Sequence, residues 1–137
     1  MLIPAISFEG NCDEAITYYK KAFGAEVKVI GYGKEAPKEY AQDNPMPDNF
    51  VMYSEVILFN ARMVMTDGAK KPLSESDFWM QVSFDTKEEV HSVFEKLADG
   101  GKVIEAPTKQ FWASLNAYVI DRFGVMWNVL TNEEVDK

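Results

Sequence analysis

Leu2 to Phe8 is a short apolar run, the pattern of a strand. From Asn11 the period lengthens. Ala15, Ile16, Tyr19, Ala22 and Phe23 recur at helical spacing and form one stripe of an amphipathic helix that ends near Phe23. Asn11 stands where an N-cap is wanted, with Glu14 three residues on, and Gly24 stands where a left-handed C-terminal residue is wanted. Ala25 to Tyr32 predicts a second strand. Residues 33–49 (GKEAPKEYAQDNPMPDN) lose all periodicity and carry three prolines with mixed charge, so they predict a loop. Its length suits a flexible flap or an arm that lies on a partner subunit. Phe50 to Asn60 alternates as a long strand, Asn60-Ala61 is a turn, and Arg62 to Thr66 is a fourth strand.

The polar stretch 67–76 (DGAKKPLSES) links this half to a second one of the same design. Phe78 to Phe84 predicts a strand. Thr86 caps a helix with Glu89 three residues later, and Asp99-Gly100-Gly101 stops it. Lys102–Glu105 and Ala117–Ile120 follow as strands, Asp121–Gly124 as a turn and Val125–Leu130 as the last strand. Each half therefore reads strand, helix, strand, strand, strand. The halves also match in sequence: SFEGNCDEAITYYKKAFGAEVKVI aligns without a gap on SFDTKEEVHSVFEKLADGGKVIEA. Ser7 and Phe8 fall on Ser83 and Phe84, Tyr18 on Phe94, Ala22 on Ala98, Gly24 on Gly100 and Val27 on Val103. A duplication of this size predicts one domain over residues 1–137, built from repeats at about 1–67 and 77–131 that pack around a shared space.

Composition narrows the partners. With 137 residues, 47% apolar and 13% aromatic, the chain can bury a core, which argues against disorder. A net charge of −8 argues against nucleic acid and against an anionic membrane surface. One cysteine, Cys12, excludes an intramolecular disulfide and suits a reducing compartment. The start MLIPAISF has no basic segment before a long apolar one, and no apolar run approaches the ~20 residues of a membrane span. A cytoplasmic protein is expected.

The phrases FEGNCDEAITYYKKAFG, GGKVIEAP, Phe111-Trp112 and DRFGVMWNV, set in a βαβββ duplication, resemble the PhnB-like branch of the glyoxalase/bleomycin resistance (vicinal oxygen chelate) superfamily. The resemblance covers almost the whole chain. It implies an α+β fold in which two βαβββ modules form a curved mixed sheet around a cavity, and a homodimer. In metal-binding members it also implies four His, Glu or Gln ligands, one near each first strand and one in each last strand. Carried onto this chain by counting from the helix starts, those positions hold Pro4, Val64 or Met65, Met80 (or Trp79) and Asn128. Pro, Val and Met offer no oxygen or nitrogen to a hard or borderline ion. No metal and no cofactor are therefore expected. Some proteins of this branch carry a demethylubiquinone methyltransferase label, but the chain has no glycine-rich loop after its first strand, and GYG at Gly31–Gly33 is too short a signal.

Other candidates have a functional and a structural reading. Cys12 lies near a helix start, where the dipole would lower a thiol pKa, or it is a buried filler. His91 sits among Glu88, Glu89 and Glu95 on a helix and reads as a solvated face. Glu55 interrupts an apolar alternating strand, where related proteins often show His-x-Glu and this chain has Tyr53. It is either a general base raised by an apolar pocket or a charge at a wet face or dimer contact. Trp112, beside Phe111, is either an aromatic wall for a planar ligand or a plug. Trp127 alternates with Asn128 and reads as core. The expected function is metal-independent binding of a small apolar or aromatic molecule, lined by Phe8, Tyr53, Glu55, Met65, Trp112 and Asn128. The alternative is an enzyme of this fold using Glu55 as general base on a small carbonyl or aromatic substrate. A third reading is a structural dimer whose cavity is filled by its own side chains.

Overall fold

The computed structural model describes residues 1–132. Residues 1–72 form one compact unit and the residues from Leu73 onward a second. The first holds β1 (Ala5–Phe8), α1 (Cys12–Phe23), β2 (Glu26–Tyr32), the short α2 (Lys38–Asp43), β3 (Val51–Leu58) and β4 (Ala61–Asp67). The second holds β5 (Met80–Phe84), α3 (Lys87–Ala98), β6 (Lys102–Gln110), β7 (Ala113–Ile120) and β8 (Met126–Thr131). The α+β class and the two βαβββ modules are those that the sequence pattern and the resemblance imply. The eight strands divide into two hydrogen-bonded sheets of four, ordered β1-β4-β3-β2 and β5-β8-β7-β6. In each sheet the first strand of the module pairs parallel with the last, and the other pairs are antiparallel.

Alternation sorts each sheet into two faces. In the first module Ile6, Phe8, Val56, Leu58, Met63 and Met65 are buried, and α1 turns Ala15, Ile16 and Tyr19 inward. In the second, Val90, Val93 and Leu97 of α3 are buried, as are Val119, Trp127 and Val129 of the sheet. Burying such a side chain stabilises the fold by roughly 1.5–3 kcal/mol relative to leaving it in water.

Several boundaries differ from the sequence pattern for identifiable reasons. The tight turn after β3 is Phe59-Asn60, both left-handed (φ 49° and 65°), because Leu58 pairs with Ala61. Phe59 packs against Phe23 with ring centroids 4.9 Å apart and planes tilted by 47°, alongside this uncommon Phe conformation. Strand β6 runs through Pro107 to Gln110, beyond the predicted end at Glu105. It is the outer strand of its sheet, with irregular register, where a residue lacking an N–H is tolerated. Phe111-Trp112 is then the two-residue connection between β6 and β7, and β7 begins at Ala113. The 33–49 segment contains α2 and is tied to its own module at both ends. Gly33 N donates to Phe50 O at 2.7 Å and Lys34 N to Asp48 O at 3.1 Å.

The helix starts are closed differently. Thr86 caps α3 as its spacing predicts, accepting from Glu89 N at 3.2 Å. Asn11 does not cap α1; its Oδ1 is buried without a hydrogen-bond partner among the described residues. Asp67, at the end of β4, does that work from across the module. Its Oδ1 accepts from Gly10 N at 3.0 Å and Cys12 N at 2.9 Å, and its Oδ2 accepts from Val51 N at 2.9 Å. Its counterpart in the repeat is Thr131: Phe8 pairs with Asp67 as Phe84 pairs with Thr131. Thr131 Oγ1 accepts from Leu115 N at 3.1 Å.

Asp67→Ala strands three backbone donors, two of them beside buried residues. At about 1–3 kcal/mol for each fully buried donor, with partial rescue by water, the loss should be about 2–4 kcal/mol. A lower urea midpoint with an unchanged slope would register it, with Asp67→Asn losing less; a loss below about 1 kcal/mol would show that Asp67 is not the tie described.

Candidate functional site

Each sheet has a face that its helix does not cover, and four of the six expected lining residues belong to such faces or beside them. In the first module Glu55 stands between Val29 on β2 and Val64 on β4, with Tyr53 two residues along. Tyr53 is 45% exposed. Glu55 is ion-paired with Arg62, whose Nε donates to Glu55 Oε1 at 2.6 Å and whose Nη2 reaches the same oxygen. The surroundings of Glu55 therefore include a half-exposed guanidinium as well as aliphatic neighbours. Phe8 and Met65 are on the opposite face, 2% and 0% exposed, within the core beneath α1. Pairing decides this: Ile6 partners Met65, and Met65 alternates with Val64, the partner of Glu55. The polar residues Ser7, Arg62 and Thr66 fall on the face of Val64, the reverse of Ile6, Phe8 and Met65.

In the second module Asn116, Tyr118 and Leu130 share a face with Asn128 and Gln81. Asn128 and Asn116 are buried, at 2% and 0% exposure. Asn128 Nδ2 donates to Asn116 Oδ1 at 2.9 Å and to Ala117 O at 3.0 Å. Trp112 Nε1 donates to the same Asn116 Oδ1 at 3.3 Å while its side chain stays 43% exposed. Trp79 meets Tyr118 edge-on, centroids 6.5 Å apart, and Phe111 meets Trp112 at 4.7 Å. The two residues singled out from the sequence, Trp112 and Asn128, are thus joined through Asn116. Nothing in the pattern marked Asn116, which precedes the strand start expected at Ala117. Trp127, as expected, faces the other way, buried and donating Nε1 to Asp121 Oδ2 at 2.9 Å.

Residues 1–130 match the family described as 3-demethylubiquinone-9 3-methyltransferase. The chain belongs to this PhnB-like family. It is 34% identical over 138 residues to Protein YjdN of Escherichia coli K12, covering 93% of this chain and 92% of that protein. The structure resembles a putative 3-demethylubiquinone-9 3-methyltransferase, the PhnB protein of Bacillus cereus, with a TM-score of 0.78 at 21% identity over 96% of this chain and 98% of that one. It also resembles the fosfomycin resistance protein FosX of Listeria monocytogenes, with a TM-score of 0.66 at 9% identity over 98% and 93%. At those identities the two structures speak for the fold alone.

In this PhnB-like chain, strand pairing can be set beside the positions counted from the helix starts. The β1 residue that shares the uncovered face with Val64 is Ala5, not Pro4, and the β5 residue paired with Asn128 is Gln81, not Met80. Ala5 and Val64 have no donor atom. Gln81 and Asn128 have amides, and the Asn128 Nδ2 is engaged with Asn116 and Ala117. Among the described residues no three His, Cys, Asp or Glu side chains form a group that could hold an ion. Neither pair by itself offers the His or carboxylate donors that a divalent ion takes.

The remaining candidates separate clearly. His91 is exposed on α3. Cys12 is fully buried, and burial, then the carboxylates of Asp67 and Asp13, push its thiol pKa upward despite the helix start. A cleft of about 260 Å³ in the first module is lined by Asp13, Tyr32, Lys34, Asp48 and Asn49. There Tyr32 donates its hydroxyl to Asp13 Oδ1 at 2.7 Å, which, with burial second, pushes the phenol up to about 12.

Cys12 should therefore stay unreactive to dithionitrobenzoate in the native protein and react only on unfolding. Its folded pKa is raised, so the thiol's contribution to stability is complete below its ordinary value of 9.0 and is lost as pH rises above it. Urea midpoints between pH 8 and pH 10 should fall less steeply in Cys12→Ala; rapid native labelling would refute the assignment.

Proposed function

We propose that this PhnB-like protein binds a small apolar or aromatic molecule without a metal ion, at the uncovered face of the second module. The observation that carries this reading is the buried Asn116–Asn128 amide pair beside a half-exposed Trp112. Amides fix orientation, and the aromatic side chains Trp112, Tyr118 and Trp79 provide flat apolar contact. Tyr53 and Glu55 belong to the corresponding face of the first module, where the Glu55–Arg62 pair is a polar contact for a ligand or for a partner subunit. The donor set at Ala5, Val64, Gln81 and Asn128 supports the metal-independent part.

Methyl transfer, the activity in the family's description, finds no support in the glycines. A Cβ on Gly33 would collide with the Pro47 carbonyl and the Met46 side chain, so that glycine serves the close approach of its own loop and not a cofactor. A homodimer is part of the proposal. Phe78 and Phe111 are 74% and 96% exposed, and Val103 and Ile104 are exposed on the outer strand β6, a combination suited to an interface between copies. A fully buried single thiol and the absence of any described helix long and apolar enough to cross a membrane are compatible with a cytoplasmic setting.

Titration with the neutral dye N-phenyl-1-naphthylamine should give saturable fluorescence enhancement. Trp112→Ala should weaken it about tenfold, the scale of a well-packed aromatic contact. Zinc, nickel or manganese chloride should change the affinity less than about twofold, within what a non-specific salt effect produces. Absence of saturable binding, or a stoichiometric metal ion retained by the purified protein and required for binding, would overturn the proposal.

A further inference from the structure

Asn116 has one hydrogen-bonding half more than the protein uses. Its Oδ1 accepts twice, from Trp112 Nε1 and Asn128 Nδ2. That fixes the amide orientation, because exchanging O and N would set an NH2 group against two donors. Nδ2 then faces no acceptor: it is buried and without a hydrogen-bond partner among the described residues. A buried donor left unpaired costs about 1–3 kcal/mol, so such a group in a well-packed strand calls for an acceptor from outside the fold. The solvent-side neighbour is Trp112, tied to Asn116 by a long hydrogen bond and sitting in the two-residue connection between β6 and β7.

The charge around this amide selects among acceptors. Glu105 shares the face through its pairing with Tyr118, and Gln110 Nε2 donates to it at 3.1 Å. Lys102 belongs to the same face opposite Ile120, four residues along the strand from Asn116, or about 13 Å. A carboxylate or phosphate at Asn116 would therefore meet a carboxylate neighbour with a cation beyond screening distance. A neutral carbonyl oxygen needs only the donor.

We propose that Asn116 Nδ2 is the hydrogen-bond donor to a neutral carbonyl oxygen of the bound molecule, an aryl ketone, ester or amide, and that Trp112 swings aside to admit it. This rests on the small-molecule reading above and makes it specific: the ligand carries a carbonyl next to a planar apolar group. Asn116 would supply by hydrogen bonding the carbonyl recognition for which the donor set lacks a metal.

The test uses two probes of nearly the same shape, acetophenone and ethylbenzene, added to the full-length, uniformly 15N-labelled protein. Acetophenone should bind about fivefold to tenfold more tightly, the worth of one net hydrogen bond. It should also shift the Asn116 side-chain NH2 resonances, while ethylbenzene should not. In Asn116→Asp, which retains the oxygen that Trp112 and Asn128 donate to, the preference should disappear; the wild-type resonance shift decides the matter if that variant folds poorly. Equal binding of both probes, with the Asn116 resonances unmoved, would overturn the carbonyl proposal and leave the amide to a trapped water, with the small-molecule reading intact. No binding of either probe would overturn both.

Discussion

The first module depends on the three hydrogen bonds that Asp67 accepts. A carboxylate at the end of β4 holds the loop entering α1 and the start of β3. It thereby fixes where the helix begins over the sheet and which residues of β3 face it. If β3 slid by one position, Val56 and Leu58 would face out and Glu55 would enter the core, so the register is enforced by burial as well as by this tie. Burial first, and this carboxylate after it, set the character of Cys12. A thiol at a helix start would ordinarily be activated, yet here the N–H groups of Gly10 and Cys12 are spent on Asp67, whose charge also opposes a thiolate.

The two copies keep one architecture and differ where chemistry would reside. The tie position is Asp67 in one and Thr131 in the other, a carboxylate receiving three donors against a hydroxyl bonded to Leu115 and Ser114 of β7. On the uncovered faces Val64 and Asn128 occupy matching places, as do Ala5 and Gln81, and the strand partners beside them are Glu55 and Tyr118. One face therefore presents aliphatic side chains with an ion pair, the other amides with aromatic rings. A fold supported by likeness to several solved structures is compatible with either use, so function must be argued from these side chains.

Much of this architecture could be read from periodicity. Gly24 and Gly100 aligned in the repeat, and both are left-handed after a helix (φ 69° and 76°). Thr86 capped as its spacing required, whereas Asn11 did not, because a tertiary acceptor took the donors that a local cap would have used. Pro107 looked like the end of a strand, since a sequence does not say which strand will be outermost. The face assignment failed most. Phe8 and Met65 were read as lining because apolar residues near a cavity and apolar residues in a core look alike. Register, which depends on pairings tens of residues apart, separates them. Pairing also differs by one residue from the count along the chain: Val64 lies opposite Ala5, next to Pro4, and Asn128 opposite Gln81, next to Met80.

Asn116 shows what periodicity alone cannot carry. It lies before the expected start of its strand, and the whole residue is buried. Its value lies in the mismatch between the two donors it receives and the acceptor it lacks, a property of three residues at once: Trp112 in a turn, Asn116 in β7 and Asn128 in β8. A buried amide pair is tolerable only when satisfied, since the low dielectric that strengthens each bond also raises the cost of the missing one. A network built for stability would have closed on itself. One that leaves a donor open next to a half-exposed indole has the composition expected of a recognition element, oriented by Asn128 and covered by Trp112.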